Sequence, residues 1–201
     1  MRRRIQAVVV STIALLGLAA CSSGDTKLPG VTSGAPVGST TSQTSETTEV
    51  APAVHEPLDA SQFITTPCKS LTEQQTRDLT ITERNEQAGP NDCTWEFGAN
   101  LEWTVQLFYA TVTGGLQNDY NKNSAGFYDH GGYFEPTSVS DYPAVFSNLS
   151  DFRASGTCDL NVGIGGDTIF HVTVTGQAGE DNCKAATTVA ANVIKTIRTG
   201  G

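Results

Sequence analysis

Five cysteines, three histidines and one glycine-rich turn are the residues here whose types could do chemistry. A hydrolytic centre needs a nucleophile held by a base. His130, in Asp129-His130-Gly131-Gly132 with Ser124 upstream, is the candidate for one. Adjacent residues on a loop or strand seldom face each other, and no strand–Gly-x-Ser-x-Gly–helix elbow occurs. His130 is therefore expected to be a polar loop residue, and no catalytic residue is assigned. His171 alternates with Phe170 and Val172, which turns it outward from a strand. His55 falls in a hydrophilic stretch and is expected in solvent. Gly163-x-Gly165-Gly166 looks like a phosphate loop, but such loops open helices. A strand pattern follows this one, so a hairpin turn is expected. The acidic residues are scattered without calcium-loop spacing. The cysteines show no Cys-x-x-Cys and no nearby histidine pair, so zinc ligation is not expected. No cofactor and no metal are assigned.

The cysteines at 21, 68, 93, 158 and 183 divide into one and four. Arg2, Arg3 and Arg4 precede an apolar run from Ile5 to Leu18, and small residues then lead to Cys21. That is the layout of a signal peptide. The run, about 14 residues, is short of the roughly 20 that a membrane span needs. Leu18-Ala19-Ala20-Cys21 resembles the lipobox of bacterial lipoproteins. The resemblance implies a diacylglyceryl group on the Cys21 sulfur and cleavage after Ala20. Two acyl chains hold a protein firmly to a bilayer, at about 0.8 kcal/mol per buried methylene. The expected partner of the N-terminus is thus the membrane, on its outer face. An ordinary secretory signal with an incidental cysteine and an uncleaved anchor are the alternatives.

Lipidation of Cys21 leaves four cysteines, which in an exported domain suggest two disulfides. Four cysteines allow three pairings. Cys68–Cys93 and Cys158–Cys183 are chosen because each closes a local loop with a separation of 25 residues.

Seven of the 15 aromatic residues lie between Tyr120 and Phe146, interleaved with glycine-rich loops. Tyr128, Tyr133, Phe134 and Tyr142 are the candidate binding surface, because tyrosine is favoured at such surfaces. Core filling under a long loop is the alternative.

Cleavage after Ala20 would take the formal charge from -9 to -12. A net acidic chain carries no basic footprint for nucleic acid, and no polybasic run follows Cys21 for anionic lipid. Ser22 to Glu56 is rich in Ser, Thr, Gly and Pro, with no aromatic residue. Such a segment cannot bury enough apolar surface to offset its ordering entropy, and it would span roughly 30–35 Å as a flexible tether. The expected organisation is a signal peptide over 1–20, a lipidated cysteine and disordered tether over 21–56, and one globular domain over 57–201.

Ser70-Leu71-Thr72-Glu73 has the form of a capping box and predicts a helix to about Leu79. Cys93–Gly98 and Glu102–Thr111 alternate as strands around a loop at Gly98-Ala99-Asn100. Leu116–Asn123 is a short helix. Tyr133–Val139 and Ala144–Ser147 are strands about a turn at Asp141-Tyr142-Pro143. Thr157–Ile164 and Thr168–Thr175 pair through Gly165-Gly166-Asp167. From Asn182 to Arg198, Ala186, Val189, Ala190, Val193, Ile194 and Ile197 form the stripe of an amphipathic helix. Cys183 lies on that helix's buried side and Cys158 on the buried side of its strand, so their bond would staple helix to sheet. The fold class is α+β: a mainly antiparallel sheet, with a C-terminal amphipathic helix packed on one face and two disulfides.

Pro67-Cys68 before a Leu-Thr pair, Cys93-x-Trp95, Tyr142-Pro143-Ala144-Val145, Cys158 and Cys183-x-x-Ala186 together resemble an actinobacterial lipoprotein family. Its domain is catalogued as domain of unknown function 3558. The resemblance covers most of Pro57 to Arg198. That family usually carries glycine before the Tyr-Pro, where this chain has Asp141. The resemblance implies export, disulfides and fold, and no reaction. The expected function is a membrane-anchored, extracytoplasmic binding or accessory module of the cell envelope, working through an unknown envelope protein. The alternatives are a carrier of a small apolar or lipid ligand between sheet and helix, and a hydrolase using His130.

Overall fold

The computed structural model describes residues 49–82 and 84–201. The expected signal peptide, Cys21 and the tether up to residue 48 lie outside the described residues. Seven strands form one sheet: β1 (Asn85–Ala88), β2 (Asp92–Phe97), β3 (Trp103–Thr111), β4 (Tyr133–Val139), β5 (Tyr142–Asn148), β6 (Thr157–Gly163) and β7 (Thr168–Thr175). Their order is β1-β2-β3-β7-β6-β5-β4, and every neighbouring pair is antiparallel. Two meanders, β1 to β3 and β4 to β7, therefore meet where β7 returns beside β3. Period-two alternation sets which face of a strand is buried. In β3, Val105, Leu107 and Tyr109 are buried on one face while Gln106 and Phe108 are exposed on the other. Edge strands invite unwanted pairing. At one edge β1 exposes all four of its residues, and at the other β4 exposes Glu135 and Pro136.

Helix α4 (Asn182–Thr199) packs on β6 and β7 through the six positions of its apolar stripe, all buried. Burial of side chains such as Val193 and Ile194 contributes about 1.5–3 kcal/mol apiece before ordering entropy is counted. Asp181 caps the helix by accepting the Lys184 amide at 2.9 Å, and Gly200 ends it in the left-handed region at φ 79°. Both disulfides are formed as expected. Cys158–Cys183 staples α4 to β6, and Cys68–Cys93 ties a 3-10 turn (Pro67–Ser70) to β2.

Helices α1 (Ser61–Thr65) and α2 (Glu73–Asp78) precede the sheet. The capping box lies two residues later than expected. Thr72 accepts the Gln75 amide at 3.2 Å, and Gln75 Oε1 accepts the Thr72 amide at 2.7 Å. Ser70 instead meets the Tyr109 hydroxyl in the core, at 2.7 Å. Both tetrads satisfy the capping pattern, and tertiary contacts choose between them. Gln75 also donates to the Asn192 carbonyl and accepts from Thr196, which joins α2 to α4.

The expected turn at Asp141-Tyr142-Pro143 is also displaced. Ser140 and Asp141 are the two turn residues, at φ 48° and 71°, and Tyr142 already pairs with Val139. Pro143 belongs to β5. The ladder to β6 begins only at Ala144, so the missing amide of Pro143 falls before that pairing. The expected domain boundary moves as well, because residues 49–56 lie against the domain. The Ala51 amide donates to Gln117 Oε1 at 2.9 Å, and the Tyr142 hydroxyl donates to the Glu56 carbonyl at 2.8 Å. Helix α3 (Gln117–Ser124) covers part of the second sheet face. There Leu116, Tyr120, Val145 and Ile169 form a smaller core.

Candidate functional site

Where α4 leaves the sheet toward β2 and β3, a cleft of about 470 Å3 opens. Small-molecule sites commonly span about 300–1,000 Å3. Its floor is Val105 and Val174, and its helical wall is Ala185, Thr188 and Val189. The opposite wall is the turn Leu79-Thr80-Ile81. The mouth is the β2–β3 hairpin, which presents Phe97, Glu102 and Trp103. Phe97 and Trp103 are paired across the hairpin with ring centroids 6.3 Å apart and an interplanar angle of 22°. Trp103 lies over the backbone of Gly176, where a Cβ would collide with its ring. A side chain at position 176 would therefore lift the indole off the cleft.

The turn at 79–81 has a local cause. Ile81 donates its amide to the Thr76 carbonyl at 2.8 Å and Thr80 donates to the Arg77 carbonyl at 3.0 Å. These two bonds are the Schellman closure of α2, which favours glycine at the left-handed position. Thr80 occupies that position at φ 59°, and a β-branched residue there is strained. Leu101, in the hairpin at the mouth, is also left-handed at φ 55°.

Among the described residues, Glu102 is the only charged one lining the cleft. Its carboxylate accepts the Asn100 amide at 2.8 Å. Its own backbone amide and that of Asn100 hold it below the usual carboxylate range. A larger hollow, about 670 Å3, lies by α1 and the chain end. Gln62, Thr65, Thr66, Lys69 and Glu73 make its walls largely hydrophilic.

A second cluster occupies the other face of the sheet. The Asp159 carboxylate is almost fully buried. It accepts from the Thr173 hydroxyl at 2.6 Å and from the Asn148 amide at 2.7 Å, and His171 Nε2 lies 3.2 Å away. Burial pushes this carboxyl up, but hydrogen bonds from His171, Thr173 and Asn148 outweigh it and leave it below the usual range. The Asp159 amide donates to the Tyr133 hydroxyl, which burial pushes up to about 12. Asp, His and Thr are the residue types of a hydrolytic triad, but their order is wrong. A triad needs nucleophile and carboxylate on opposite ring nitrogens. Here Thr173 and Asp159 both sit at Nε2, while Nδ1 faces Asn161 Oδ1 at 2.7 Å. The cluster cross-links β5, β6 and β7.

Three of the four residues of the expected aromatic surface are buried: Tyr128, Tyr133 and Tyr142. Phe134 is half-buried against Tyr120 and Tyr128, at centroid distances of 5.0 and 5.6 Å. The four rings therefore fill core, and the surface expectation is corrected. α3 and the loop after it bring rings over the sheet, which composition does not reveal. His130 is exposed, and among the described residues its ring makes no hydrogen bond. His171 does point away from the main core, as its alternation predicts. Among the described residues one trio, Cys68, Glu86 and Cys93, gathers potential metal-ligand atoms within 4.8 Å. The two sulfurs are bonded to each other and Glu86 accepts from the Trp95 indole at 2.9 Å, so the trio offers no free ligand set.

A family model described as a protein of unknown function, DUF3558, matches residues 16–196. The chain belongs to the DUF3558 family. No curated protein and no solved structure matches it. The matched stretch of this DUF3558 protein contains both disulfides, the cleft and the Asp159 cluster. Asp141, which stands where the resemblance expects glycine, has a left-handed φ. Aspartate is among the few non-glycine residues that tolerate it.

The residues that sequence reasoning missed are Thr80, Glu102 and Trp103 at the cleft, and Asp159 with Thr173 behind the sheet. Trp103 and Glu102 were legible as a strand start. Nothing local marks them as neighbours of Ala185 or Thr80.

Proposed function

We propose that this DUF3558 protein is an actinobacterial lipoprotein held on the outer face of the cell membrane by lipid on Cys21, where it serves as a binding or accessory module of the envelope. The pairing of the four domain cysteines carries the reading. Disulfides persist in oxidising compartments. With those sulfurs consumed by one another, the Cys21 sulfur is left for chemistry other than a bridge within the domain. Among the described residues no helix is long and apolar enough to cross a membrane. Mass analysis of the protein from its native membrane tests the reading. A mature N-terminal peptide that begins at a diacylated Cys21 is the expected result. A chain still beginning at Met1, or an unmodified Cys21, overturns it.

The cleft between α4 and the sheet supports a second, more specific reading, in which the module carries a small apolar ligand. Its floor is apolar and its volume suits one small molecule. Native mass spectrometry of the domain, purified without detergent, should show a co-purifying mass that leaves on organic extraction. A protein that is empty on purification and takes up no apolar probe removes this reading.

A further inference from the structure

Among the described residues the cleft is apolar on three sides and carries one fixed charge, at its mouth. No Lys, Arg or His among the described residues lines it, so a ligand ending in carboxylate or phosphate would face Glu102 with no cation among them to offset the repulsion. Glu102 is not a wandering surface acid. The Asn100 amide holds its carboxylate at the hairpin, 2.8 Å away. The Trp103 indole, seated over Gly176, lines the same cleft, and the face of such a ring attracts cations. Left-handed Thr80 lines the same cleft, and backbone strain of this kind gathers at ligand clamps.

We propose that the cleft binds an amphiphile with a small apolar body and a cationic amine head, the body on Val105, Val174 and Val189 and the amine between the Glu102 carboxylate and the Trp103 ring. This rests on the carrier reading and adds the ligand's charge to it. Apolar burial supplies most of the affinity, and the charge at the mouth supplies selectivity.

The test uses the full chain from residue 21 with Cys21→Ser, so that no detergent competes for the cleft. Decylamine, 1-decanol and decanoate are titrated by calorimetry at pH 7. Decylamine should bind tightest and decanoate weakest. A unit charge about 4 Å from another in water changes binding about fivefold. Glu102→Gln keeps the acceptor for Asn100. It should weaken decylamine about fivefold, strengthen decanoate about fivefold and leave decanol unchanged. Asp129→Asn removes one charge from a distant loop and should leave the preference intact. Ala185→Phe should abolish binding of all three probes. Thr188→Phe, at an exposed rim position, serves if the first variant does not fold. If no probe binds, the carrier reading itself falls. If all three bind alike, or Glu102→Gln leaves their ratios unchanged, the amine assignment falls and the carrier reading stands. Tightest binding of decanoate, or binding that survives both phenylalanine variants, overturns the proposal.

Discussion

Replacing Cys158 and Cys183 by alanine together should cost this domain a large part of its stability. The bridge closes a sequence separation of 25 residues. Cross-linking a loop of that size removes about 12 cal/mol/K of entropy from the unfolded chain, or about 3.5 kcal/mol at 25 °C. Cys158 is fully buried, so the lost sulfur also leaves a small void in the core. Domains of this size are stable by only about 5–15 kcal/mol. The assay is urea unfolding of the oxidised wild type and the double variant, followed by far-UV circular dichroism. The midpoint should fall, and the slope should rise because the uncrosslinked chain exposes more surface when unfolded. The thermal midpoint should drop by about 7–14 °C. Cys68–Cys93 closes the same separation and should cost about the same through the unfolded chain. The two bridges differ in the folded state. Cys158 sits opposite Val174 on the cleft floor, and Cys183 opens the helix whose next turn is the cleft wall. Loss of Cys158–Cys183 should therefore weaken probe binding as well, whereas loss of Cys68–Cys93 should not. A stability loss below about 1 kcal/mol with an unchanged slope would refute the chain-entropy reasoning.

Three further outcomes follow from single positions. Thr80→Gly should stabilise the domain by about 1 kcal/mol in urea unfolding, because it relieves a left-handed β-branched residue at a helix end; a loss would show that the Schellman turn is not formed. Gly176→Ala should cost about 1–3 kcal/mol and shift the Trp103 emission, because the new Cβ meets the indole ring; unchanged emission would remove that contact. Asp159, whose carboxyl is held below its usual range, stabilises the fold above its unfolded value near 4, and that contribution is lost as pH falls through the lower folded value. Asp159→Ala should therefore cost about 2–4 kcal/mol at pH 7 and flatten the acid limb of stability below about pH 4; an acid limb identical to wild type would refute the role of the carboxylate.

Much of the framework was legible because it is written in short-range patterns. β3 and β7 announce themselves through alternation, and α4 through a stripe of six apolar residues. The two disulfides follow from loop length, since nearest partners close the cheapest loops. Errors arose where two local solutions compete. Ser70 and Thr72 both begin a capping tetrad, and the deciding contacts are Tyr109 on β3 and Thr196 on α4. Asp141-Tyr142-Pro143 carries turn chemistry, yet Tyr142 and Pro143 enter a strand because β4 is there to pair with them. Strand β1, Asn-Glu-Gln-Ala, has no apolar alternation. It is a strand only because the edge of β2 offers its free hydrogen-bonding groups.

By itself the sequence determined the kind and order of the strongly periodic elements and the covalent bridges. Each of these depends on residues near one another along the chain, where periodicity, loop closure and caps act directly. Only the tertiary structure decided that the tyrosines near residue 130 face inward, that residues 49–56 lie along the domain, and that a cleft exists. The walls of that cleft come from residues 79–81, 97–105, 174 and 185–189. A concavity is the space left between surfaces that meet only after the elements have packed, so no single stretch of chain encodes it.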